Sequence, residues 1–558
     1  MPQFRVPRNL EVPYPEHELP PTYLINHDIK PIERERRKWG SLAFLSLWSV
    51  VAFNMSNLQL GSSLLSVGLN WWQSIVATLL GHIIAAGLVV LVSFPGLYYH
   101  ISFPLSQRMT WGFNGAIFVV LNRILLSIIW FGVQSWQGGL MTYVCLRAWF
   151  PSIDNLPPTF SPSTGMNLAQ FVGFIVFFVL QLPFLLLKPV PLRYLAYVST
   201  VMGFIVQLVL VVWACSTMES FGDILSNKQS VGGGQLGWSF VFGITVTMSS
   251  ITSGTLSVCD YTRFAKRPQS GILPQLAGFF PAWLSNVFGI LTVAGTQKRF
   301  GAELWSVVQL LMAIQDQNST TATRCAVWFA GFSFLINQLA LNVIGNSFSG
   351  GTDMASLLPK YINIRRGQYL TALLGLVINP WYLVSGALVF LSVMSAYTVF
   401  LQPFLGTVAA SYFVLYRQRI KVSDLYKLSG NIYWYNYGVN WRAIVSWMVG
   451  VAPHLPGFLH TVNPTIKVGA GAEHMYLLTA ISSFVISFTM TVLLGYIFPV
   501  QAQQDFVNST TREEAIQLKE DFINGSDIMR GVEVPWDPVT GDKSSHISEV
   551  EKDSEKNQ

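Results

Sequence analysis

Charge is what this chain has least of. Only 11% of its 558 residues are Asp, Glu, Lys or Arg, against 51% hydrophobic, and one soluble core could not hide that much apolar surface. Cysteine is scarce too. Cys145, Cys215, Cys259 and Cys325 are the four present, within or at the ends of apolar stretches, at spacings that match no metal motif and no disulfide framework, so single buried thiols are expected. No histidine within an apolar run falls at i,i+4 with a carboxylate, and no Gly-rich phosphate loop follows a strand pattern, which argues against a membrane enzyme. The opening "MPQFRVPRNLEVPYPEHELPP" is Pro-rich and charged and lacks the apolar core of a cleaved secretory signal. Insertion therefore depends on the first membrane helix.

What the chain does have is apolar runs of roughly twenty residues, the length of a bilayer crossing. About twelve candidates lie near 41–66, 73–94, 113–138, 168–187, 195–214, 238–258, 274–295, 325–346, 368–384, 387–415, 441–460 and 474–498. The expected fold class is an all-α polytopic membrane protein. Its expected organisation is a cytoplasmic N-terminal segment over 1–38, a transmembrane domain over 39–500 and a cytoplasmic, disordered tail over 501–558. The excess of 34 Lys+Arg over 28 Asp+Glu clusters in loops such as "RERRKWG", "DYTRFAKRPQ" and "YRQRIKVSDLYKL". That pattern reports topology with both termini cytoplasmic, with no nucleic-acid partner; Lys298 and Arg299 are the main exception. In this orientation Asn318-Ser319-Thr320 faces outward as a glycosylation acceptor, whereas Asn508-Ser509-Thr510 matches the same motif on the cytosolic side. The tail offers Lys543, Lys552 and Lys556 to regulatory modification, beside the plainer reading of a solvated terminus.

Polar residues inside the apolar runs carry the functional signal. In "IIWFGVQSWQGG" (128–139), Trp130 and Gln134 are one helical turn apart and project from one face. Span one holds Asn54, Ser56, Asn57, Gln59 and Gly61, and span six reads "GITVTMSSITSGTLSVCD" around Gly254. Both are candidates for unwinding. Paired broken helices in corresponding positions of two inverted halves point to a transporter site at the midplane, to which Asn54, Gln59, Ser250 and Thr252 would contribute; close helix packing by small residues is the alternative. In span eight Gln338, Asn342 and Asn346 recur every four residues on one broad face. Interhelical hydrogen bonding explains such a row, but amides also pair bidentately with a planar ring that offers C=O and N–H side by side, while Trp stacks on its face.

Four stretches, "WFGVQSWQGG", "DYTRFAKRP", "NVIGNSFSGGTDMASLLPKYINIRRG" and "YWYNYGVNWRAIVSWMVGVAPHLPGF", together resemble the nucleobase–cation symporter family. They look most like its fungal branch of uracil, allantoin, uridine and thiamine permeases, over roughly residues 35–500. The resemblance implies a five-plus-five inverted-repeat core with two further C-terminal helices, and no cofactor other than a coupling cation. It makes Trp130 the stacking plate, Gln134 the ring-edge amide and Asn346 the substrate-contacting asparagine, with Asn342 one turn before it. Two departures stand out. Span six has no aromatic to close a sandwich on the ring, and Leu58 stands where the fungal branch commonly has a Trp in span one. Sodium-driven relatives place Ser and Thr hydroxyls where Ala340 and Leu341 stand here, so a proton is the expected driver. Within spans, His82 is expected to be a hydrogen-bonded packing residue, and Arg123 either a counter-charge or part of a gate; Asp260 and Asp353 lie at cytoplasmic ends.

The expected function is import of a nucleobase-like small molecule, uracil, allantoin or a relative, across the plasma membrane by proton symport. Alternatives are a permease for thiamine or a nucleoside, and a receptor homologue that binds without transporting.

Overall fold

In a computed structural model of the protein, the described residues are 11–13, 21–161, 164–187, 189–218, 232–384, 387–428 and 430–524. Among them secondary structure is helical apart from two isolated β-bridges. Among the described residues nine helices are long and apolar enough to cross a membrane, and a tenth span results if the bent pair Ser41–Ala52 and Met55–Val67 is one crossing. The expected ninth and eleventh spans correspond to shorter helices, Ile364–Val377 and Trp441–Val451.

The helices pack in two equivalent sets. The second half of span one lies along span seven, as span six lies along span two, and span three lies along span four as span eight lies along span nine. Close approach needs small residues. A Cβ at Gly289 of span seven would sit 2.1 Å from the Leu58 carbonyl oxygen, and one at Gly61 would sit 2.4 Å from that of Asn286, so backbone meets backbone there.

Span one breaks at Phe53 and bends by 52°. The freed ends are satisfied by side chains, as the absence of water in a bilayer demands. Asn54 caps the second half by accepting from Asn57 N at 2.9 Å, while Asn57 Nδ2 donates to the carbonyls of Ala52 and Ala282, each at 2.9 Å. Span six differs from expectation: helix Gly233–Leu256 runs through Gly254, and the interruption falls at Ser257, before Val258–Thr262. Most Ser and Thr side chains of this run donate back to carbonyls three or four residues earlier, as Ser249 does to Thr245 and Thr252 to Met248, so these hydroxyls are satisfied without unwinding the helix.

Both ends of the described chain meet on one face of the bundle. Trp39 pairs with the backbone of Phe264 and Lys266, and Ile29 and Ile32 of the segment 22–39 are fully buried. The start of the tail departs from the expected disorder: Gln501–Ser509 and Arg512–Asn524 are helices. They bury Val507, Ala515, Phe522 and Ile523. Phe522 stacks on Tyr426, and Glu520 binds Arg37 at 2.9 Å and Arg34 at 3.3 Å. Lys543, Lys552 and Lys556 lie outside the described residues.

Candidate functional site

Where span one breaks, a cavity of about 80 Å³ opens among spans one, three, six and eight. Trp130 and Gln134 of span three line it, together with Asn54 and Ser56 of span one, Ser250 and Gly254 of span six, and Asn346 of span eight. The spacing that puts Trp130 and Gln134 on one helical face thus turns that face toward the void. Trp130, Ser250 and Asn346 are half-buried against it.

The remaining candidates lie elsewhere. Asn342 is fully buried and stands behind Asn346. Its Nδ2 donates to Ser135 Oγ and Gln181 Oε1, each at 2.9 Å, and to the Phe131 carbonyl at 3.2 Å, while its Oδ1 accepts from Asn346 Nδ2 at 3.0 Å. It is a hub that ties span eight to spans three and four. A π-helical turn over Asn342–Ser347 carries both asparagines. Gln59 and Thr252 are 1% exposed and off the cavity wall. Gln137 and Gln338 bond to each other at 2.8 Å, and Ser56 Oγ donates to the same Gln137 oxygen at 2.6 Å, so these amides lock span one and span eight onto span three.

One wall residue carries no signal of its role in the sequence. Trp48, about one and a half turns before the break, lines the cavity, and its ring edge lies 3.7 Å from where a Cβ on Gly254 would be. The aromatic that span six lacks is thus offset by one from span one, for which Gly254 leaves room. Leu58 is no substitute for it, because its backbone packs against Gly289 of span seven. Two polar atoms on wall residues, the acceptor Gln134 Oε1 and the donor Trp48 Nε1, are buried with no protein partner. An acceptor and a donor beside aromatic surface are what a ring carrying N–H and C=O groups requires.

Residues 31–481 match a family described as permeases for cytosine/purines, uracil, thiamine and allantoin. The chain belongs to this permease family. It is 33% identical to the allantoin permease of Saccharomyces cerevisiae, over 86% of this chain and 76% of that one. It is 32% identical to the uracil permease of the same yeast, over 86% and 77%. Among solved structures it is similar to Mhp1, a nucleobase-cation-symport-1 family transporter in a closed conformation with bromovinylhydantoin bound, with a TM-score of 0.64, 21% identity and coverage of 89% of this chain and 99% of that one. The shared fold bears out the expected all-α, inverted-repeat architecture. The protein is a multi-pass membrane transporter and not an enzyme.

In this permease a buried charge cluster lies off the cavity wall. Seven residues before Trp130, about 10 Å along a helix, Arg123 is buried and its Nε donates to Asp353 of span eight at 2.6 Å, with Asp260 of the span-six end 3.6 Å from its Nη2. Tyr261 adds hydrogen bonds to the Ile344 carbonyl at 2.7 Å and to Ser349 Oγ at 2.8 Å. These contacts tie the end of span six to spans three and eight, the two sets of helices that flank the cavity. Arg123 is thus a counter-charge that bridges them. His82 packs as expected, with its Nδ1 2.8 Å from the Thr78 carbonyl.

Proposed function

We propose that the permease imports a small, uncharged, planar heterocycle of the nucleobase type across the plasma membrane, driven by protons, with both termini in the cytoplasm. The observation that carries the reading is the one cavity shared by Trp130, Gln134, Asn346, Ser250 and Trp48, which offers aromatic surface beside amide and hydroxyl groups. In it Trp130 stacks on the ring face, Gln134 and Asn346 grip ring edges from the two halves of the fold, and Ser250 and the capping Asn54 complete the wall. Relatives named for allantoin, uracil and uridine support this substrate class. Proton drive is favoured by Ala340 and Leu341, whose side chains give a hard cation no oxygen ligand.

The test is uptake of labelled uracil and allantoin into cells without permeases of their own, with purines, nucleosides and thiamine as competitors. Expected are competition by nucleobase-like rings, dependence on an inward proton gradient, collapse with an uncoupler and indifference to sodium. A sodium requirement without pH response would overturn proton drive, and absence of counterflow in vesicles would favour a receptor. A second reading, a bulkier thiamine- or nucleoside-like substrate, draws on Gly254, where the wall has no side chain.

A further inference from the structure

A second, larger cavity, of about 200 Å³, shares no wall residue with the first and lies on the face of the bundle that carries both described termini. Its walls come from the end of span ten, the start of span eleven, the end of span twelve and tail helix Gln501–Ser509. Two arginines line it, Arg417 and Arg442, and no carboxylate does. The amides of Gln504 and Asn508 add hydrogen-bonding groups to the same wall.

The geometry is built to hold Arg417 there. Span ten ends in a π-helical turn over Ala410–Leu415, and after Tyr416 the residues Arg417 at φ 47° and Gln418 at φ 63° are both left-handed. That conformation costs a non-glycine residue about 1 kcal/mol or more, so the chain turns sharply where the guanidinium enters the wall. Arg442 is anchored by one donor only, Nε to the Phe498 carbonyl at 2.6 Å, and its guanidinium lies over the Trp441 ring. Behind the wall Arg419 donates to the carbonyl of the lining residue Val507, while its Nε is buried with no partner. Trp441 and Phe498 are in ring contact, and Tyr496 and Phe498 are exposed at the end of span twelve, an aromatic rim of the kind found at headgroup depth.

We infer that this cavity binds a phosphate-bearing anion, presented by an anionic lipid headgroup of the surrounding leaflet or by a soluble phosphate ester. Guanidinium forks match phosphate oxygens bidentately, and the aromatic rim places the site where a headgroup would reach it. Because one wall is the tail helix, occupancy clamps the tail to the ends of spans ten and twelve.

The test uses the full-length protein purified in detergent. Thermal stability is measured against dioctanoyl phosphatidylinositol 4,5-bisphosphate, dioctanoyl phosphatidylcholine and inositol trisphosphate. Expected is saturable stabilisation by the anionic lipid but not by phosphatidylcholine, with apparent affinity reduced about tenfold in Arg417→Gln through loss of a charge-assisted contact. It should be unchanged in Arg365→Gln, an exposed arginine outside the cavity. Inositol trisphosphate acting like the lipid would identify a soluble ester as sufficient, and its failure beside an active lipid would identify the membrane as the source. Arg442→Gln is expected to weaken binding likewise; Arg417, exposed and with no described hydrogen bond, keeps the test open if Arg442→Gln disturbs the Phe498 contact. No saturable effect of either anion, or an effect that Arg417→Gln leaves intact, overturns the inference.

Discussion

Replacing Asn342 by alanine should cost this permease its fold before its ligand, whereas the same change at Asn346 should do the reverse. Asn342 makes four polar contacts within spans three, four and eight. After truncation Ser135 Oγ still accepts from Gln181 Nε2 at 3.0 Å, but Gln181 Oε1 loses the donor and Asn346 Nδ2 the acceptor described for it. Each buried polar group left unpaired costs about 1–3 kcal/mol, so Asn342→Ala should destabilise the protein by roughly 2–6 kcal/mol, a large part of a domain's net stability. Asn346 is half-buried on the cavity wall and makes one of these bonds, so Asn346→Ala leaves the bundle largely intact and removes a ring-edge group. Thermal stability of the detergent-solubilised protein, measured with surface expression and uptake affinity, separates the two. If Asn342→Ala proved as stable as the parent while changing which analogues compete, the hub assignment would be wrong.

Four further outcomes are expected. Trp130→Ala should weaken uptake affinity by about 1–3 kcal/mol, with Trp130→Phe keeping much of it; Trp48→Ala should do the same, and a double-mutant cycle should find the two coupled if both touch one ring. Gly289→Ala places a methyl 2.1 Å from the Leu58 carbonyl oxygen and should lower thermal stability by at least about 1–3 kcal/mol, whereas Gly254→Ala meets only Trp48 at 3.7 Å and should be tolerated while altering analogue ranking. Arg123→Gln leaves Asp353 and Asp260 buried without their shared guanidinium, and should abolish uptake or surface expression where Arg123→Lys retains part of it. Burial alone would raise the Glu520 carboxyl, but hydrogen bonds from Arg37 and Lys519 hold it down at about 2; its contribution to tail docking is therefore complete above its ordinary 4.5 and lost as pH falls through about 2. Glu520→Gln should mimic that loss at neutral pH, and unchanged protease protection of Arg512–Asn524 would refute it.

The parts legible in the sequence were those that depend on local periodicity. Trp130 and Gln134 lie four residues apart on an uninterrupted helix, so their common face follows from 3.6 residues per turn whatever surrounds them. The span-one break was legible for a similar reason, since Asn54 and Asn57 supply their own cap. Span six misled because most of its Ser and Thr hydroxyls serve carbonyls of the same helix, and a sequence rich in such residues reads alike whether the helix continues or unwinds. The tail misled because its charges outnumber a narrow apolar face that has meaning only once Tyr426 and Arg37 are beside it.

Composition and the spacing of apolar runs by themselves determined that the chain is a polytopic helical membrane protein, because each run must span the bilayer and satisfy its own backbone. They also determined which polar side chains sit at membrane depth. Tertiary structure alone decided what each of those side chains does. Asn342 and Asn346 have the same chemistry on neighbouring turns, yet Gln181 and Ser135 claim the first and the cavity receives the second. Gln137 and Gln338, 201 residues apart, satisfy each other and are removed from the site by doing so. Trp48, an unremarked aromatic in an apolar run, enters the site because span one bends beside a glycine of span six. A hydrogen-bond partner or an open wall is a property of the neighbours a fold brings together, and no local pattern encodes it.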